Sequence, residues 1–164
     1  MWCSERRRCL ALCAAGAVSA CGFAPIYGPE GPARAALGRI AVTEIDGLMG
    51  FELRERLIER FGAPRAATHR IDVEIELESN GLAITADAEI TRYNLTGRAA
   101  FSLVELTSGN VVLKENIRAF AAYSATASVV ATRSAERDAR IRLATALADQ
   151  ITLRVAAEPD LWAV

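Results

Sequence analysis

From residue 71 to residue 78, apolar and acidic side chains alternate without a break: Ile71, Val73, Ile75 and Leu77 against Asp72, Glu74, Glu76 and Glu78. A period of two belongs to a β-strand, whose successive side chains point to opposite faces. One face is core and the other carries a line of four carboxylates, so the sheet can be covered on one side only. The rest of the chain must supply that strand's neighbours and its single cover.

Residues 39–45 read as a first strand, with Ile40 and Val42 on one face. Asp46-Gly47 starts a helix with Asp46 as N-cap. Leu48, Phe51, Leu57, Ile58 and Phe61 form its apolar stripe; Glu52, Arg56, Glu59 and Arg60 form its wet side; Gly62 and Pro64 stop it. Asn80-Gly81 is a hairpin signal. Residues 82–106 are too long for one ordinary strand, so a bulge or break is expected near 87–91. Beyond it Tyr93, Leu95, Gly97, Ala99, Phe101 and Leu103 share one face, and Arg92, Asn94, Thr96, Arg98 and Ser102 the other. Residues 107–110 make the next turn. Residues 111–124 form a strand with Leu113, Ile117, Ala119 and Tyr123 inward and Lys114, Asn116 and Arg118 outward. Residues 129–158 contain neither Gly nor Pro and read as a helix with a stripe of Ile141, Ala144, Leu147, Ala148, Ile151 and Val155. Its solvated side holds Arg133, Glu136, Arg137, Arg140 and Asp149, and Ser134 can cap a later start. The order β-α-β-β-β-α predicts an α/β (α+β) two-layer sandwich: two helices packed on one face of a mostly antiparallel four-stranded sheet.

All four cysteines, Cys3, Cys9, Cys13 and Cys21, precede that domain, so no disulfide staples it. Arg6, Arg7 and Arg8 are followed by an uncharged stretch at 9–20, the layout of a secretory signal and too short for a spanning helix. Val18-Ser19-Ala20-Cys21 resembles a bacterial lipobox. In such signals the Cys thiol takes fatty acyl chains such as palmitate, the peptide is cut before it, and the new amino group is acylated. Several chains on one residue make a stable anchor. Gly22, rather than Asp, follows the cysteine, which resembles the sorting signal for the outer membrane. The expected organisation is a signal peptide at 1–20, a lipidated Cys21 with a Pro/Gly-rich tether at 21–38, a domain at 39–158 and a tail at 159–164.

A formal charge of −1 and a pI near 5.9 argue against nucleic-acid binding. His69 is the single histidine, and no HExxH, P-loop or GxGxxG motif is present, which leaves metal-assisted or triad hydrolysis with little support.

Cys21-Gly22-Phe23-Ala24-Pro25-Ile26-Tyr27-Gly28 resembles the mature start of the LptE family of lipopolysaccharide-assembly lipoproteins. Thr91-Arg92-Tyr93-Asn94-Leu95 and Ser108-Gly109 resemble its central strands. Ala131-Thr132, Ala135-Glu136-Arg137-Asp138-Ala139 and Leu147-Ala148-Asp149-Gln150-Ile151 resemble its C-terminal helix. The resemblance implies a non-catalytic subunit without metal or cofactor. It would plug and help assemble an LptD-type outer-membrane β-barrel and assist lipopolysaccharide transport to the outer leaflet. It also implies lipopolysaccharide binding through basic residues. The alternative is an accessory lipoprotein of a periplasmic ABC-type lipid transport system, and a periplasmic hydrolase working through His69 is a third.

Arg98 and Arg118 are the first candidates, with Arg92 and Lys114 beside them. A hairpin turning at 107–109 sets Arg98 and Arg118 nearly opposite, and like charges across a ladder call for an anion between them. That anion is a lipid A phosphate or core carboxylate held by the arginine fork, or the line Asp72, Glu74, Glu76 and Glu78 pairing internally, which is the commoner arrangement. The acid line itself reads as a solvated sheet face rather than a Ca²⁺ site. His69 reads as an exposed turn residue, Phe120 as an outward aromatic for a partner or acyl chain, and Trp162 as a docking anchor or, more commonly for such a tail, part of a frayed end. Mass spectrometry of the protein extracted from membranes should find a chain beginning at Cys21 and carrying fatty acyl groups. An unmodified, water-soluble chain beginning at Met1 would overturn the lipoprotein reading.

Overall fold

The computed structural model describes residues 28, 31–84, 90–158 and 161–162. The expected signal segment, Cys21 and the first part of the tether lie outside the described residues. A single helical turn at Pro32–Ala35 leads into β1 (Ile40–Val42), α1 (Gly47–Phe61), β2 (His69–Ile84), β3 (Ile90–Glu105), β4 (Val111–Ser124) and α2 (Val129–Ala156). The sheet order is β1-β2-β3-β4, with β1 parallel to β2 and the other pairs antiparallel. Both helices cover one face, which gives the expected two-layer sandwich.

The inward face is built from Ile71, Leu95, Ala99, Phe101, Leu103, Ile117 and Ala119, all buried. Onto it α2 lays Leu143, Leu147, Ile151 and Val155, with Ala139, Ala144 and Ala148 beside them. Gly97 explains how closely the layers meet. A Cβ there would stand 3.1 Å from Leu147 Cδ1 and 3.2 Å from Leu143 Cδ2, so a side chain would crowd both leucines and bare backbone lets α2 pack closely on β3. The turn between β3 and β4 falls where expected. Gly109 takes φ 73°, a left-handed conformation costly for other residues, and its N–H donates to the Glu105 carbonyl at 2.8 Å. The sheet ends at β4, and two β4 carbonyls accept from α2 side chains: Arg118 from Gln150 Nε2 and Ala122 from Arg142 Nη2, both at 3.3 Å.

Several expectations need correction. Asn80-Gly81 is not a turn: Asn80 pairs with Asn94 and Gly81 with Tyr93, and β2 runs on to Ile84. A reversal at 80–81 would set Asp72 against Glu89 and Glu74 against Asp87, acid facing acid. The observed register sets Ile71 against Leu103, Val73 against Phe101 and Glu76 against Arg98. The irregularity falls at 81–84, earlier than the expected 87–91, most of which lies outside the described residues.

On α1 the buried line is Gly50, Leu53, Leu57 and Phe61, whereas Leu48 and Phe51 are exposed. Gly50 sets this rotation, because a Cβ there would lie 2.6 Å from the Ile45 carbonyl oxygen. Asp46 occupies the N-cap position but its side chain makes no capping bond. On α2 Leu143 rather than Ile141 is the buried residue, since Leu143 is the one that reaches Gly97. The cap is Ser128, whose Oγ accepts from the Ala131 N–H at 3.4 Å, while Ser134 lies inside the helix. Arg56, Arg60 and Asp149 do not simply face water: both guanidiniums meet the Asp149 carboxylate, at 3.1 and 2.9 Å, across the seam between the helices.

His69 and Trp162 are the largest departures. His69 is 9% exposed and Trp162 5%. The rings meet edge to face with centroids 5.2 Å apart, and Trp162 Nε1 donates to the Val155 carbonyl at 3.0 Å. An indole that buries its body and satisfies its N–H holds down a segment that composition alone reads as loose.

Gly97→Val should destabilise the fold by about 1–3 kcal/mol through overpacking against α2. Denaturant unfolding of the purified protein checks this, and an unchanged midpoint would contradict the close approach.

Candidate functional site

With both helices on one side, no described element covers the other side of the sheet, and the register sorts its side chains by strand. Reading across from β2 to β4, the rows are Asp72–Ser102–Lys114, Glu74–Ala100–Asn116, Glu76–Arg98–Arg118 and Glu78–Thr96–Phe120. The acids form a column on β2, the cations gather on β4, and β3 between them is small or polar except for Arg98. Arg98 and Arg118 are direct cross-strand partners, as the sequence predicts. Phe120 stands outward and is 77% exposed.

The acid column is not uniform. Asp72 takes a two-pronged contact from Arg70, Nε to Oδ1 at 2.9 Å and Nη2 to Oδ2 at 3.0 Å. The Thr43 hydroxyl also donates to it. The Arg70 bonds, helped by Thr43 against partial burial, hold the Asp72 carboxyl below its ordinary pKa. Glu78 meets Arg98 Nη2 at 3.6 Å. Glu74 and Glu76, in the middle, make no ion pair among the described residues, and neither do Arg118 and Lys114. Internal pairing therefore accounts for Arg98 and leaves Arg118 and Lys114 without a carboxylate.

These groups border a cleft of about 350 Å³ lined by Glu74, Glu76, Arg98, Ala100, Asn116, Ile117 and Arg118. Its floor is low because Ala100 stands between larger side chains. A smaller recess of about 150 Å³ adjoins it and includes Asp72, Ser102 and Lys114. Arg98, Arg118 and, one recess away, Lys114 thus share one concave surface. Arg92 does not: it lies six residues along β3, about 20 Å from Arg98. Ala100 and Asn116 carry no reactive group, so a search for charged residues passes over them. The signal for them is a small outward residue flanked by charge on both neighbouring strands.

The surface offers anion-binding forks and carboxylates without a nucleophile and base in contact. Among the described residues no three His, Cys, Asp or Glu side chains are placed to hold a metal ion. Nor is any described helix long and apolar enough to cross a membrane. His69 lies at the start of β2 under Trp162, with Nδ1 2.9 Å from Thr68 Oγ1. Burial, with Arg39 adding to it and Glu105 opposing, holds its pKa below the ordinary value.

A family model described as LptE, lipopolysaccharide-assembly, matches residues 37–155. Among solved structures the chain is similar to a lipoprotein of Caulobacter crescentus CB15. Identity is 20%, with 77% of this chain and 96% of that one covered and a TM-score of 0.64. It is similar to rare lipoprotein B of Shewanella oneidensis at 15% identity, covering 74% and 94%, with a TM-score of 0.56. It is also similar to a minor lipoprotein of Acinetobacter baumannii at 17% identity, covering 73% and 90%, with a TM-score of 0.54. At these identities the likeness is one of fold. No curated protein matches the chain.

The buried imidazole has a measurable consequence. Because its folded pKa lies below the unfolded one, the unfolded chain takes the proton first. The associated stability is full above about pH 6.5 and declines as the pH falls from there toward the folded value. NMR titration of the single histidine should show a midpoint below about 6.5, and Trp162→Ala should move it back toward that value. A midpoint at or above the free value would show that the ring is not packed as described.

Proposed function

The chain belongs to the LptE lipopolysaccharide-assembly family, and from that premise we propose that it is a non-catalytic lipoprotein of the outer membrane. In this reading it is anchored through Cys21, plugs and helps assemble an LptD-type β-barrel, and assists the passage of lipopolysaccharide to the outer leaflet. The observation that carries the reading is the extent of the match: residues 37–155 take in all four strands, α1 and nearly all of α2.

The physical character of the module supports it. One sheet face is sealed by helices, while the other is polar, charged and uncovered, a surface suited to the water-lined wall of a barrel. On that face the unpaired Arg118 stands beside Arg98, and Lys114 is close by. Guanidiniums on adjacent strands can present parallel N–H donors to one phosphate, and the anion removes the repulsion between them. Lipid A phosphates or core carboxylates are the anions proposed for Arg98, Arg118 and Lys114, with Arg92 a separate and more distant contact.

Solubilised envelope should yield the protein together with a large outer-membrane barrel, and its depletion should lower lipopolysaccharide at the cell surface. Extraction as a lone chain, with lipopolysaccharide export intact, would overturn the proposal. Replacing Arg98 and Arg118 together by Glu should weaken binding of purified lipopolysaccharide about tenfold or more at low salt, with the difference shrinking as salt rises. Unchanged binding by the folded variant would remove the phosphate role of the pair.

A further inference from the structure

The cleft over Ala100 has Glu74 and Glu76 on one wall and Arg118 on the other, with Arg98, which meets Glu78, between them. Glu76 and Arg118 stand in the same row, but β3 lies between them, so their backbones are about 10 Å apart. Glu74 is in the neighbouring row, and its cross-strand partner is Ala100, which has nothing to offer a carboxylate. Glu74, Glu76 and Arg118 are accordingly left without ion pairs among the described residues, whereas the acids at both ends of the column, Asp72 and Glu78, are engaged. All three line the cleft, together with Arg98, whose partner Glu78 lies outside it.

We propose that this cleft is a zwitterion site that takes a phosphate–ammonium headgroup of the phosphoethanolamine type. The phosphate lies between Arg98 and Arg118, and the primary ammonium lies between Glu74 and Glu76. The anionic half rests on the phosphate reading given above, while the cationic half is new and independent of it. Glu74 and Glu76, two residues apart on one strand, face the same side, and an ammonium has three donors to share between them. A two-carbon link lets one guest make a charge-assisted contact of about 2.8 Å at either end, with a guanidinium on one side and the unpaired carboxylates on the other. An anion alone satisfies one wall. A quaternary ammonium has no N–H to donate to either carboxylate. The floor at Ala100 and the Asn116 amide complete a polar recess without steric obstruction.

The test uses the full chain in nonionic micelles with soluble headgroups as probes. Titrations with glycerophosphoethanolamine, glycerophosphate and glycerophosphocholine are followed by the amide signals of Glu74, Ala100 and Asn116. Glycerophosphoethanolamine should bind about tenfold tighter than the other two. The double variant Glu74→Gln, Glu76→Gln keeps shape and strand register. It should bring the three probes to within about twofold of one another while glycerophosphate still binds. Equal affinities in the wild-type protein, or a preference that survives in the double variant, would overturn the zwitterion site while leaving lipopolysaccharide binding by the arginines untouched. Loss of lipopolysaccharide binding in the arginine variant bears only on the phosphate half. Competition by phosphatidylethanolamine against an ethanolamine-phosphate-bearing glycolipid then assigns the source of the headgroup.

Discussion

The whole arrangement depends on how near α2 can come to β3. Gly97 leaves a gap in the sheet's inner surface, and Leu143 and Leu147 fill it so closely that a Cβ at 97 would stand 3.1–3.2 Å from their ends and push both aside. Once α2 is seated there, its alanines let it lie low across β3 and β4, and α1 can pack alongside. The seam between the helices is then short enough for Arg56 and Arg60 to share Asp149. The C-terminal end of α2 is brought over the start of β2, where Trp162 closes on His69. The close contact at Gly97, the shared Asp149 and the His69–Trp162 pair thus hold α2 to the sheet and to α1 along its length.

Placing all the cover on one side has a second effect. The outer face is free to hold charges in an order that a buried face could not tolerate. Acids on β2 and cations on β4 are separated by one strand, too far for most of them to neutralise one another and close enough to act on a common guest. Arg98 is the exception: it reaches Glu78 yet keeps its place beside Arg118. Such contacts between half-exposed groups contribute at most about 1 kcal/mol, so the arrangement does little for stability. Its value lies in what it presents to whatever meets the sheet.

Much of this was legible in the sequence, and the parts that were not have physical reasons. Strict alternation in β2 and β3 gave the inward and outward sets, and the turn at 107–110 fixed the β3–β4 register that sets Arg98 against Arg118. Asn80-Gly81 misled because a local turn preference was outweighed by the pairing of two long strands, which brings like faces and unlike charges together. On the helices Gly50 and Leu53 take the buried places expected of Leu48 and Phe51, and Leu143 that of Ile141, because contacts at single glycines, Gly50 and Gly97, decide rotation and depth, and periodicity does not register a residue without a side chain. His69 and Trp162 were misjudged for a different reason. Their burial comes from two segments ninety-three positions apart, and nothing local to either announces the other. The cleft was half visible: its charges could be assigned to a face, but its concavity follows from Ala100 lying lower than its neighbours.

The side chains of Arg142 and Gln150, which reach round to the carbonyls of β4, bear on what happens before any partner is met. A fourteen-residue strand at the margin of a sheet is a template on which another polypeptide can crystallise, strand upon strand. The carbonyls of Arg118 and Ala122, four residues apart, are already occupied, which interrupts the template in its second half. The rim is thereby less open to a stray strand at those two points, while the polar face beside it stays available.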